Sequence, residues 1–156
     1  PVRFGIELGR RLPCHATAMG KALLALLPDD EIRQRMQGAL PATTQYSLQS
    51  VDALLEDLAH VRICGYACSN QELFLGIKTI AIALQSPLNP SPVALSLSFP
   101  LLSVDASTEQ ALIDDLMATG RAVGLRIGDP RWLAPAKVAP VAVRKPAAAK
   151  RPPPVT

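Results

Sequence analysis

Two short segments constrain the chain most: Ile77–Leu84, whose second half is the uninterrupted apolar run Ile80-Ala81-Ile82-Ala83-Leu84, and Val93–Phe99, which alternates apolar and small polar residues. Between them lies Ser86-Pro87-Leu88-Asn89-Pro90-Ser91-Pro92, a composition that connects strands and does not continue them. Two strand-length segments joined in this way predict a β-hairpin. In the second arm a period of two puts Ser96 and Ser98 on one face and Leu95, Leu97 and Phe99 on the other.

Helical segments surround the hairpin. Ala16–Leu27 is rich in Ala, Leu and Lys, with Met19, Leu23, Leu24 and Leu27 at helical spacing, and Pro28 ends it. Asp29 or Asp30 is the expected cap of a short second helix running to Met36. A polar connector, residues 41–49, leads to a third helix over Val51–Cys64. Ser50 is its expected N-cap, Leu54, Leu55, Leu58 and Val61 its apolar stripe, and Gly65 its stop. Tyr66–Cys68 reads as a short strand. Ser107 followed by Gln110 has the capping-box spacing that opens a final helix to about Val123, with Leu112, Ile113, Leu116 and Met117 buried. Pro1–Glu7 carries Val2, Phe4 and Ile6 in strand-like alternation. The predicted order is helices, hairpin, helix.

Charge divides the chain unevenly. All 13 acidic residues lie at or before Asp129, whereas six of the 16 basic residues follow it, leaving a body with ten basic against 13 acidic residues. A mildly acidic body lacks the clustered Lys and Arg of a nucleic-acid surface. Residues 130–156 are dominated by Pro, Ala, Val, Lys and Arg, have no acidic residue and no apolar periodicity, and are expected to be a disordered basic tail with at most weak, non-specific attraction to nucleic acid. Residues 1–129 form the expected globular domain. No run of about 18 apolar residues is present and the N-terminus lacks a secretory pattern, so no membrane contact and a cytoplasmic location are expected.

Catalytic and metal chemistry find little material. The histidines are His15 and His60 only, and no phosphate-loop, dinucleotide-binding or zinc-protease motif occurs. His15 is expected at a helix entry in a capping role and His60 partly exposed. An enzyme would have to use Cys14 with His15 or His60, and no orienting acid is evident beside either pair. Cys14, Cys64 and Cys68 lack C-x-x-C spacing and are expected as reduced, buried thiols, with neither metal nor cofactor. The Ser96/Ser98 face opposite a helix N-terminus is instead suited to binding a small carboxylate, because hydroxyls and free N–H groups donate to it.

The segment Leu12-Pro13-Cys14-His15-Ala16-Thr17-Ala18-Met19-Gly20-Lys21-Ala22-Leu23-Leu24-Ala25 resembles the LP-x-HATA-x-GKALLA signature of IclR-family effector domains. Val61-Arg62 to Gly65-Tyr66-Ala67, then Glu72 with Gly76-Ile77 and Ile80-Ala81, then Ala94–Ser98 to Pro100 follow in family order, so the likeness spans about Arg10 to Ile127. The resemblance implies an α+β, GAF-like sensor domain: a curved antiparallel sheet flanked by helices, with its first strands absent from this chain. It also implies a homodimeric or tetrameric regulator that contacts DNA through an N-terminal winged helix-turn-helix. Carried over by position, Ser96 and Ser98 match serines that hold an effector carboxylate, and Ala18 and Met19 match positions lining the pocket. Ser69 stands where some members have an acidic pocket residue and Thr79 where a pocket Cys occurs, so the ligands of those members do not transfer. A stand-alone binding or dimerisation module is the other reading of such a chain.

Overall fold

The structure, a computed structural model, describes residues 9–133. The expected strand at Pro1–Glu7 and most of the expected tail lie outside the described residues. The hairpin forms as predicted: β2 (Ile77–Leu84) pairs antiparallel with β3 (Val93–Pro100), and Thr79 stands opposite Ser98 while Ala81 stands opposite Ser96. A shorter strand, β1 (Ala67–Asn70), pairs antiparallel with the other edge of β2, giving the order β1-β2-β3. This strand starts and ends later than the expected Tyr66–Cys68, because Gly65 ends the preceding helix with a left-handed residue (φ 86°) and Tyr66 is spent on leaving the turn.

Helices cover both faces, as the α+β expectation requires. On one side lie α1 (Ala18–Leu24), α2 (Asp29–Arg35) and α3 (Val51–Cys64). Their Leu24, Ile32, Leu54 and Leu58 pack with Ala67, Ala81 and Ala83 of the sheet. The small strand residues allow α1 to lie close to β2. On the other side, α4 (Ala106–Ile127) places Ile113 and Leu116 against Ile80, Ile82 and Phe99.

The helix limits differ from the sequence reading for identifiable reasons. α1 is shorter than the expected 16–27, because a 3-10 turn (Cys14–Ala16) precedes it and Thr17 is the N-cap, its Oγ1 accepting from the Gly20 N–H at 3.1 Å. α2 has Pro28, not Asp29 or Asp30, at its N-cap, and no side chain caps it. Asp29 instead accepts from Arg62 at 2.8 Å, the same guanidinium that holds the Ala25 and Leu27 carbonyls. α3 keeps its expected limits, with the Ser50 hydroxyl accepting from Ala53 N. For α4 the cap is Asp105 rather than Ser107: the chain is still extended at Asp105, and its carboxylate accepts from both the Thr108 N–H and the Ser107 hydroxyl at 2.8 Å. The helix also runs past Val123 to Ile127.

Its final turns carry Gly120 and Gly124, both buried, and onto them folds α5 (Pro130–Leu133). An added Cβ at Gly124 would stand 2.5 Å from the Trp132 ring, so only glycine lets the indole seat there. Asp129, fully buried, fixes the turn by accepting from Gln85 N at 2.8 Å and from the Arg131 backbone and guanidinium. Among the described residues, α5 thus follows directly on Asp129.

Candidate functional site

Three side chains from three strands stand in one row across the sheet face turned toward α1. β1 contributes Ser69, opposite Thr79 of β2, which is opposite Ser98 of β3; Ser96 lies one step further along β3 on the same face. Thr79 Oγ1 and Ser98 Oγ are 2.9 Å apart. Only one of the two hydroxyl protons is used in that bond, which leaves the other to donate elsewhere. Above this row sits the start of α1. Here the chain doubles back sharply: a Cβ on Gly20 would come within 2.3 Å of the Cys14 carbonyl oxygen, which explains the glycine in the Met-Gly-Lys segment. The first N–H groups of α1 have no partner within the helix, except that Thr17 takes the one from Gly20.

Between the sheet and the start of α1 lies a cavity of about 50 Å³. The structure brings all six residues singled out from the sequence, Ala18, Met19, Ser69, Thr79, Ser96 and Ser98, to its wall. They do not contribute alike. Ser69 is buried and its hydroxyl already donates to the Ala16 carbonyl at 2.8 Å, tying β1 to the turn before α1. Thr79, Ser96 and Ser98 remain as the hydroxyl floor. Leu12, Thr17, Leu73, Phe74 and Ile77 complete the lining and were missed by the sequence reading. The signal for two of them was present: Leu73 and Phe74 are apolar residues in the turn-rich segment between β1 and β2, where polar residues are the norm.

Among the described residues no ionisable side chain lines this cavity. The nearest charged cluster in sequence is internally matched: Lys21, fully buried, lies 2.8 Å from Glu72 Oε1 and 2.9 Å from Asp57 Oδ2. Burial alone would lower the Lys21 pKa, but the Glu72 and Asp57 carboxylates outweigh it and hold the ammonium above its ordinary value. Burial pushes Glu72 upward in turn, against the pull of Lys21.

The cysteines and histidines take up other positions. Cys14 is exposed, which corrects the expectation of a buried thiol: in the turn that carries it the inward positions are taken by His15 and Ala16. Cys64 and Cys68 are half-buried, and burial pushes the Cys68 thiol up to about 11, far from a reactive thiolate. His15 is not a cap. It is buried, with Nε2 2.9 Å from the Pro41 carbonyl, which joins the α1 entry to the connector. His60 is exposed on α3. Among the described residues no group of three or more His, Cys, Asp or Glu is placed to hold a metal ion, and no helix is long and apolar enough to cross a membrane.

Comparison with known proteins agrees with this arrangement. The family described as "Bacterial transcriptional regulator IclR C-terminal" matches residues 2–125. The regulator KdgR of Escherichia coli (strain K12) is 32% identical over 128 residues, 81% of this chain and 49% of KdgR. XynR of the same strain is 35% identical over 125 residues, 80% of this chain and 50% of XynR. The chain thus spans about half the length of these relatives. A solved double mutant of the PobR inducer-binding domain from Acinetobacter, in complex with 3-hydroxybenzoic acid, superposes with a TM-score of 0.66 at 30% identity, covering 81% of this chain and 71% of that one. Fold and relatives define the class: an effector-binding domain of a bacterial transcription regulator, not an enzyme. The chain belongs to the IclR family, and its residues 2–125 match that family's C-terminal domain.

Proposed function

We propose that this domain senses a small organic acid, an aliphatic or aromatic carboxylate, for a DNA-binding transcription regulator. The observation that carries the reading is the convergence of the Thr79, Ser96 and Ser98 hydroxyls with the first turn of α1 on one otherwise apolar cavity. Hydroxyls and helix N–H groups donate to a carboxylate, and the apolar wall takes its carbon skeleton. The 3-hydroxybenzoic acid held by the PobR domain is a carboxylate, which supports the ligand class. Ala18 and Met19 form the roof, and Ser69 acts by fixing the turn that carries them.

In the full-length regulator the operator is contacted by an N-terminal winged helix-turn-helix, and the protein works in the cytoplasm as a dimer or tetramer. The effector acts by binding two conformations unequally and so shifting operator affinity. The basic residues after Asp129 add weak, sequence-independent attraction to phosphate. Thermal unfolding of the full-length regulator against a panel of aliphatic and aromatic carboxylates tests the ligand class. An acid present at about 100 times its Kd adds roughly 2.7 kcal/mol, and the shift disappears in Ser96→Ala/Ser98→Ala. A folded regulator unmoved by every acid in the panel rejects the reading.

A further inference from the structure

At about 50 Å³, the cavity is far below the roughly 300–1,000 Å³ of pockets that take drug-sized ligands. The hydroxyl floor does not set this limit, since Ser and Thr side chains are small. Bulk comes from the large apolar lining residues Leu12, Met19, Leu73, Phe74 and Ile77, of which the loop between β1 and β2 supplies Leu73 and Phe74. Phe74 is the one aromatic residue in the lining among the described residues, and it is 41% exposed.

The backbone that carries these two side chains is held on both flanks. Before them, Gln71 N donates to the Ile77 carbonyl at 2.8 Å, and the Thr44 hydroxyl donates to the Gln71 carbonyl at 2.6 Å. The Ser47 hydroxyl donates to the Glu72 carbonyl at 2.7 Å, and the Glu72 carboxylate is gripped by buried Lys21. After them, Gly76 N donates to the Gln71 side chain and the Gly76 carbonyl accepts from Leu101 N at 2.9 Å. With the main chain fixed, the room beneath the loop is decided by which side chains stand at 73 and 74.

We propose that Leu73 and Phe74 are the specificity-determining residues of the effector site, restricting it to compact carboxylates of a few carbon atoms and excluding ring acids. This rests on the carboxylate reading above and narrows it. Calorimetric titration of the full-length regulator with propionate and with 3-hydroxybenzoate, as wild type, Phe74→Ala and Leu73→Ala, tests it. The wild type binds propionate at least about tenfold more tightly than the ring acid. Phe74→Ala, and to a smaller degree Leu73→Ala, tightens 3-hydroxybenzoate binding by about tenfold or more, while propionate changes by less than about threefold. Phe74→Leu keeps an apolar filler at the rim and gives an intermediate gain, which serves if the alanine variant folds poorly. A wild type that binds both acids equally, or variants that move both by the same factor, overturns the proposal and leaves the carboxylate reading standing. If neither acid binds any folded variant, the size rule is overturned, and the wider panel of acids decides the carboxylate reading separately.

Discussion

Replacing Lys21 by Met keeps nearly the same shape and removes the charge, which makes it a direct test of the buried cluster. The wild-type ammonium is within 2.9 Å of two carboxylates, from Asp57 on α3 and Glu72 on the loop rimming the cavity. After the substitution both remain, and Glu72 Oε2 already has no hydrogen-bond partner. Breaking one side of a buried ion pair costs about 3–5 kcal/mol, mostly from the abandoned charge. For a domain of this size each kcal/mol corresponds to about 3–5 °C, so the melting temperature falls by about 10–20 °C near neutral pH. The pH dependence separates this from a packing defect. In the wild type the Lys21 contribution is fully present below its ordinary value of 10.5 and is lost as pH rises through its raised folded value. In Lys21→Met the stranded Glu72, already pushed above its ordinary 4.5 by burial, rises further, so the variant regains stability as pH falls toward that ordinary value. Calorimetric melts of both proteins between about pH 5 and 8 provide the measurement. A loss below about 1 kcal/mol, or a deficit that does not shrink at the acid end, refutes the argument.

Trp132→Ala removes the indole from its seat on Gly120 and Gly124, and for this half-buried ring we expect a loss of about 2–3 kcal/mol in urea unfolding. Gly124→Ala, whose Cβ would meet the same ring, should cost about 1–3 kcal/mol in that assay, and if neither change moves the midpoint α5 is not part of the stable body. Asp105 has its pKa drawn down to about 2, first by the Thr108 N–H and then by the Thr108 and Ser107 side chains. Its cap contribution is therefore present above the ordinary value of 3.8 and lost as pH falls through 2, and Asp105→Ala should lack that acid component when helical circular dichroism is followed on acidification.

Elements with a local cause were legible from the sequence. The hairpin, α3 with Ser50 and Gly65 at its ends, and the serine face of β3 follow from periodicity and capping within a few residues. α1 starts later than the helical spacing alone indicates because the chain folds back between Cys14 and Gly20, a local turn that apolar periodicity does not register, and this makes Thr17 the cap. Asp105 outcompetes Ser107 because an ionised carboxylate accepts two donors where a hydroxyl offers less. The site was legible where the residues alternate on strands. Ser69 shows the limit of that reading: its position on the cavity wall followed from the family likeness, but its engagement with the Ala16 carbonyl depends on a residue 53 positions away. The Lys21 cluster and the seat of Trp132 likewise join segments that no local pattern connects.

The seat of Trp132 also has a spectroscopic use. It is the single tryptophan of the chain, and it packs among the α4-side residues of the sheet, whereas the cavity opens on the α1 side. Indole emission therefore reports on the attachment of the C-terminal turn to α4. An acid entering the cavity changes that emission only by acting through the sheet, so fluorescence would read communication between the two faces without interference from direct ligand contact.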